Sequence, residues 1–161
     1  MIIVIGPDNS GKSILARVLS YRGKNKLYHH FTRENGYKFC IELLPRLDLL
    51  KAVCDRMWLC EYPYSETLLR KPKFTRKEFH NMFLLTEAQA PIIILTIRKS
   101  KPYTDSYLPE NKWALCLGHY LKFLNTHKIP YYEYDYENDD FPYWILEHEE
   151  SALKKINWWV H

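Results

Sequence analysis

Residues 6–13 read Gly-Pro-Asp-Asn-Ser-Gly-Lys-Ser, the spacing G-x-x-x-x-G-K-[ST]. No other feature of the chain restricts its fold so strongly. The apolar run IIVI at 2–5 precedes it and suits a strand buried on both faces. KSILARVLSYR follows with helical apolar spacing. With ordinary composition, a chance match in a chain of this length is on the order of one in two hundred. Between a strand and a helix, such a loop turns its backbone N–H groups inward as an anion nest, with glycines supplying the freedom to turn. The helix start adds its positive dipole end. Lys12 is in reach of β- and γ-phosphates, and the Ser13 hydroxyl can ligate Mg²⁺. Gly6, Asn9, Ser10, Gly11, Lys12, Ser13 and Ile14 are therefore the expected nucleotide-binding residues, with ATP and Mg²⁺ as the expected ligands.

The rest of the chain repeats the alternation. KLYHHF at 26–31 reads as a strand, IELLPRLDLLKA as a helix with Pro45 as its start or a kink, and AVCD at 52–55 as a short strand. FTRKEFHNMFLLTEAQ is a helix, for which Thr75 and Glu78 make a capping box. PIIILTI at 91–97 is a buried strand, 109–127 a helix, IPYYEY a last strand and FPYWILEHEESALKKI a last helix. Strands alternating with helices predict an α/β fold, a P-loop domain over residues 1–161 with a parallel sheet of about five strands flanked by helices. Aromatic residues make up 16%, so much of the core is expected to come from them. No run approaches the ~20 apolar residues of a membrane span, and MIIVIG lacks the basic start of a secretory signal. Cys40, Cys54, Cys60 and Cys116 form no C-x-x-C pair, and His29 and His30, adjacent in a strand, point to opposite faces. A cytoplasmic protein with reduced, buried thiols is expected.

Charge is unevenly spread. Residues 1–101 carry 18 Lys/Arg against 9 Asp/Glu, and residues 102–161 carry 5 against 10. A basic first part fits anionic ligands. Its densest piece is Arg70-Lys71-Pro72-Lys73-Phe74-Thr75-Arg76-Lys77. That segment reads either as a solvated loop or as a surface for the DNA backbone, with Phe74 available for stacking.

The phosphate loop identifies a user of nucleoside triphosphates, not a reaction. No N-K-x-D base-recognition signal of a GTPase is present, and a single small domain favours a kinase over a motor. Three segments then resemble the thymidylate kinase and deoxynucleoside kinase superfamily, in its compact, phage-type form. Asp8 is an acid at the third place of the loop, as in several thymidylate kinases. Phe31-Thr32-Arg33-Glu34-Asn35-Gly36 resembles the family's F-T-R-E-P-G, with Asn for Pro. Asp55-Arg56 closes the third strand as the family's D-R pair does, and MWLCEYPY places Glu61 and Tyr64 where compact members have D-R-x-x-x-S-E-x-x-Y, with Cys60 for Ser.

The resemblance implies transfer of the γ-phosphoryl group of Mg-ATP to a deoxynucleotide. Asp8, Lys12, Arg56 and Glu61 are the expected catalytic residues, Arg33, Tyr64 and Arg98 the expected acceptor-binding ones, and Ser13 with Asp55 the expected metal site. An arginine at a strand's carboxyl end can clamp a phosphate bidentately, and an acid beside it can hold Mg²⁺ through water. Only one helix fits between Gly36 and Ala52, so the family's base pocket is shortened or built otherwise. Related phage kinases act on hydroxymethylated pyrimidines in DNA, an alternative acceptor that the basic segment 70–77 would suit. A module that binds ATP or DNA without turnover is the further alternative, against which the intact Lys12 and Ser13 argue.

Overall fold

The computed structural model describes residues 1–23, 27–32, 34–49, 51–98, 108, 110–135, 137–142 and 145. Five strands, β1 (Ile2–Ile5), β2 (Tyr28–His30), β3 (Val53–Asp55), β4 (Ile92–Ile97) and β5 (Tyr132–Asp135), pair in parallel in the order β2-β3-β1-β4-β5. Between them run α1 (Lys12–Arg22), α2 (Tyr37–Leu49), α3 (Glu61–Thr67), α4 (Arg76–Glu87) and α5 (Glu110–Thr126). The alternation read from the sequence is thus the architecture. Of the helix expected from Phe141 onward, Phe141 and Pro142 are not helical, Ile145 is helical and buried, and the rest lies outside the described residues. No helix among the described residues is long and apolar enough to cross a membrane.

The period-two geometry of a strand explains the layering. Ile3 and Ile5 point into one core with residues of α2–α5, including Leu44, Met82, Cys116 and Tyr120. Ile2 and Val4 point the other way, onto Leu15, Ala16 and Leu19 of α1. All four β1 side chains are completely buried, each contributing roughly 1.5–3 kcal/mol. Aromatic rings fill the larger core. Phe79 of α4 meets Trp58 at 4.9 Å, Tyr62 at 4.5 Å and Phe123 at 5.6 Å between ring centroids, mostly edge to face. All four cysteines are buried and free.

Helix starts follow their sequence signals. Thr75 and Glu78 form the capping box, with each side chain bonded to the other's backbone N–H. Helix α2 starts at Tyr37, earlier than the apolar spacing suggested, and Pro45 lies inside it, removing one intrahelical donor. The segment 57–67 was not resolved into elements by pattern. It forms a 3₁₀ turn, Trp58–Cys60, and then α3, where Pro63 is tolerated because first-turn N–H groups have no helical partner.

Helix α1 is capped by Gly23, but three later helix ends carry no glycine. Lys51, Leu69 and Lys128 take left-handed conformations, with φ of 49°, 51° and 53°. The following N–H groups reach back five residues, Ala52 to Leu47, Arg70 to Ser65 and Ile129 to Leu124, at 2.9–3.0 Å. Ile129 therefore belongs to the cap of α5, Pro130 has no N–H for a ladder, and β5 begins only at Tyr132. A non-glycine residue in this conformation costs roughly 1–2 kcal/mol. Leu69 is 90% exposed, so its side chain contributes little packing. Leu69→Gly should raise stability by about 1 kcal/mol, read as a higher urea midpoint with an unchanged m-value.

Candidate active site

The loop after β1 is held from three sides. Gly6 has φ 146°, and a Cβ there would lie 2.5 Å from both the carbonyl oxygen and Oγ1 of Thr96. Thr96, at the end of β4, is fully buried, and its Oγ1 lies 2.5 Å from Ser10 Oγ and 3.0 Å from the Ile5 carbonyl. Gly11 caps α1 in the left-handed region at φ 82°, and Asn9 is left-handed at φ 61°. Trp113 of α5 donates its indole N–H to the Asp8 carbonyl at 2.8 Å. Neither Thr96 nor Trp113 was identified from sequence. Thr96 had a faint signal, a polar residue near the end of an otherwise apolar strand, and Trp113 had none.

Inside the loop, Lys12 is 3% exposed. Its Nζ donates to the Pro7 carbonyl at 2.9 Å and to Asp8 Oδ1 at 3.1 Å. Burial pulls the ammonium pKa below its ordinary value, against the attraction of Asp8. Asp8 Oδ1 also pairs with the Arg56 guanidinium. Arg56 is left-handed at φ 63°, yet its N–H still bonds to the Val4 carbonyl at 2.9 Å. Strain of this kind, of order 1–3 kcal/mol, is held where the surroundings over-determine it. The Arg56 guanidinium also lies 5.9 Å from the centre of the buried Tyr64 ring.

Asp55 closes β3 with no exposed surface. Its Oδ2 accepts from the Tyr28 hydroxyl at 2.8 Å and lies 2.9 Å from His30 Nδ1. Burial pushes its carboxyl pKa up, but hydrogen bonds from Ser13, Tyr28 and His30 outweigh that and hold it below the ordinary value. Its Oδ1 is buried with no hydrogen-bond partner. An orphaned carboxylate oxygen on a residue bonded to Ser13 fits Mg²⁺, which takes one or two protein ligands and keeps several waters. Tyr28 and His30 share one face of β2, whereas His29 packs on Phe31 at 4.6 Å, as the period of a strand requires.

Beside Arg56 opens a cleft with about 510 Å³ of empty space, continuous with solvent. Phe31, Cys40, Met57, Trp58 and Phe74 supply its apolar wall. Thr32, Asn35, Arg70 and Lys73 supply polar groups, and Tyr64 also lines it. Asn35 Oδ1 accepts from the Thr32 N–H at 2.7 Å, so Asn at the family's Pro position still closes the turn. Glu61, also in the lining, is saturated. It accepts from Arg70 at 2.8 and 3.0 Å, from the Lys73 N–H at 2.9 Å and from Ser65 at 3.2 Å.

The structure therefore brings Asp8, Lys12, Ser13, Asp55 and Arg56 together at the carboxyl ends of β1 and β3, with Glu61 and Tyr64 beside them. Arg98 is not brought there. It pairs with Glu137 at 2.7 Å, beyond the end of β5, and does not line the cleft. Arg33 lies outside the described residues, and Ile14 and Asn9 are exposed. The basic segment also differs from its sequence reading. Phe74 is buried, so it is not available for stacking on a base, and Arg70 is bound to Glu61. Lys71, Lys73, Arg76 and Lys77 stay exposed.

No protein-family model matches the chain, and no curated protein is similar to it in sequence. Solved structures are similar in fold. The YorR protein of Bacillus subtilis, in complex with phosphorylated GDP, is 17% identical, with a TM-score of 0.68 over 99% of this chain and 98% of that one. Thymidylate kinase from Candida albicans is 15% identical, with a TM-score of 0.55 over 97% and 89% of the two chains. Deoxyadenosine kinase from M. mycoides with bound dCTP is 17% identical, with a TM-score of 0.52 over 97% and 100%. The fold of this chain is that of P-loop nucleotide kinases, as its sequence motifs implied.

The Gly6 contacts make one clear prediction. Gly6→Ala forces a methyl group against the Thr96 backbone and requires a backbone conformation that alanine rarely adopts. The melting temperature should fall, measured by scanning calorimetry, because β4 or the loop must move.

Proposed function

We propose that this chain is a nucleotide kinase that moves the γ-phosphoryl group of Mg-ATP to a deoxynucleoside monophosphate. The observation that carries this reading is the meeting of Lys12 and Arg56 on Asp8, next to a cleft whose other cations are Arg70 and Lys73. A buried lysine and a half-buried arginine at a strand's carboxyl edge favour an anion, and a cleft with further cations favours an acceptor already carrying phosphate. The apolar wall of Phe31, Cys40, Met57 and Trp58 gives a base something to pack against. The likeness to thymidylate and deoxyadenosine kinases is in keeping with such a substrate.

Catalysis is then positioning and charge neutralisation around an in-line transfer. Lys12 exchanges the Pro7 carbonyl and Asp8 for phosphate oxygens of ATP. Ser13 and Asp55 would hold Mg²⁺, whose chemistry is to neutralise the β- and γ-phosphates. Tyr28 and His30 keep Asp55 oriented through Oδ2. Arg56 clamps the acceptor phosphate or the group in transfer with its planar fork. A phosphate acceptor is already anionic and needs no strong base, so Asp8 serves to orient it and to balance the two cations.

The direct test is a transfer assay with γ-labelled ATP. Deoxynucleoside monophosphates, deoxynucleosides and DNA containing hydroxymethylated pyrimidines are offered in parallel. Label should appear on a monophosphate. Label on the modified DNA alone, or on nucleosides alone, rejects the assigned acceptor. Lys12→Ala should lower kcat over a hundredfold, at least ~3 kcal/mol of barrier, while far-ultraviolet circular dichroism is preserved. Arg56→Lys should not restore activity, because a point charge does not replace a fork at a phosphate. Equal kcat values for Arg56→Lys and the wild type would reduce Arg56 to a structural partner of Asp8.

A further inference from the structure

Trp113 belongs to the core, yet its one polar group bonds to the phosphate loop. Trp113, Cys116, Tyr120 and Leu124 recur at helical spacing and form the buried face of α5. A buried indole N–H needs an acceptor. Here the acceptor is the Asp8 carbonyl, 105 residues back along the chain, at 2.8 Å.

That carbonyl belongs to the central peptide of a turn. Residues 7–10 form a β-turn, closed on the Pro7 carbonyl by the Ser10 N–H at 3.4 Å and by the Ser10 hydroxyl at 2.8 Å. Asn9 has φ 61° while φ of Asp8 is negative, which makes the turn type II. Types I and II differ by a half-rotation of the peptide between the two central residues, here Asp8–Asn9. Type I accepts most residues, whereas type II asks for glycine at the place that Asn9 holds. Asparagine has only part of glycine's freedom there, so the local sequence leans to type I. In type I the Asp8 carbonyl would turn away from α5 and leave the buried indole N–H without its acceptor.

A trans peptide is planar, so its N–H points opposite to its C=O. With the Asp8 carbonyl aimed at Trp113, the Asn9 N–H is aimed away from α5. Left-handed residues such as Asn9 and Gly11 are also what lets successive backbone N–H groups converge into an anion nest. We infer that Trp113 is a positioning residue for the donor phosphates: its indole bond holds the Asp8–Asn9 peptide in the type II orientation and so presents the Asn9 N–H to the phosphate chain of Mg-ATP. A flipped peptide would present a carbonyl oxygen there, which repels an anion. The inference rests on the nucleotide-kinase reading for its ligand, but it is measured as binding, without turnover.

The experiment measures Mg-ATP affinity by calorimetry, together with melting temperature, for full-length wild type, Trp113→Phe, Asn9→Gly and the double variant. Phenylalanine keeps an aromatic ring in the core and removes the N–H, and glycine adopts type II without help. Trp113→Phe should weaken Mg-ATP binding about fivefold, the loss of one net hydrogen bond from the competent turn. In the Asn9→Gly background the same replacement should cost no more than about twofold. Melting temperature should fall alike in both backgrounds, because the lost indole volume is the same in each. A Trp113 that only packs would lose affinity equally with either residue at position 9. That result overturns the inference, as does unchanged affinity in Trp113→Phe. If Trp113→Phe does not fold, heteronuclear NMR of isotope-labelled wild type decides. The Trp113 indole N–H should stay protected from solvent exchange with Mg-ATP bound, and an indole N–H that Mg-ATP releases overturns the inference. Wild type that binds Mg-ATP without transferring phosphate defeats the kinase reading and leaves this one standing. Wild type that transfers phosphate while Trp113→Phe loses equally in both backgrounds defeats this inference alone. Wild type that binds no Mg-ATP defeats both.

Discussion

One buried carboxylate organises the carboxyl edge of the sheet. Asp8 is 5% exposed, and through Oδ1 it meets both the Lys12 ammonium and the Arg56 guanidinium. A buried cation without a counter-charge costs several kcal/mol, so Lys12, 3% exposed, is not readily kept in place alone. The loop, β3 and α5 are joined at this one residue, because the Asp8 carbonyl also accepts the Trp113 indole N–H. On the nucleotide-kinase reading proposed above, a phosphate arriving here takes over a charge balance that the protein already maintains.

The three acids near this edge have different surroundings and hence different work. Asp55 has one oxygen engaged by Tyr28 and His30 and the other left unpaired in the interior, the arrangement of a group that waits for a ligand. Asp8 balances cations. Glu61 is filled by donors from its own chain. Glu61 stands among the expected catalytic residues because residues 55–64 resemble the pattern D-R-x-x-x-S-E-x-x-Y. In the structure its oxygens meet Arg70, nine residues on, returned to it by the left-handed turn at Leu69.

Legibility was uneven for reasons that can be named. The buried strands and amphipathic helices were readable because burial on one or both faces leaves a period in the sequence, and the capping box of α4 because its two residues are local. Helix ends were less so, since Lys51, Leu69 and Lys128 occupy positions where glycine is the usual mark. The 3₁₀ turn and α3 were hidden because Pro63 and three aromatic residues in 58–64 give no clean period. The basic run 70–77 was legible as charge but not as a place, because local composition does not say which of its residues fold inward.

By itself, the sequence determined the phosphate loop, the strand before it, the helix after it and the Asp55-Arg56 pair at the third strand's end. Each is a matter of neighbours along the chain, where glycine freedom, helix dipole and strand period act over a few residues. Tertiary structure alone decided that Thr96 walls the loop, that Trp113 ties it to α5, that Tyr28 and His30 hold Asp55, and that Arg98 turns to Glu137 rather than to the cleft. Those contacts join residues far apart in sequence. They exist only once the parallel sheet has set β2 beside β3 and β4 beside β1, bringing separate strand ends to one edge.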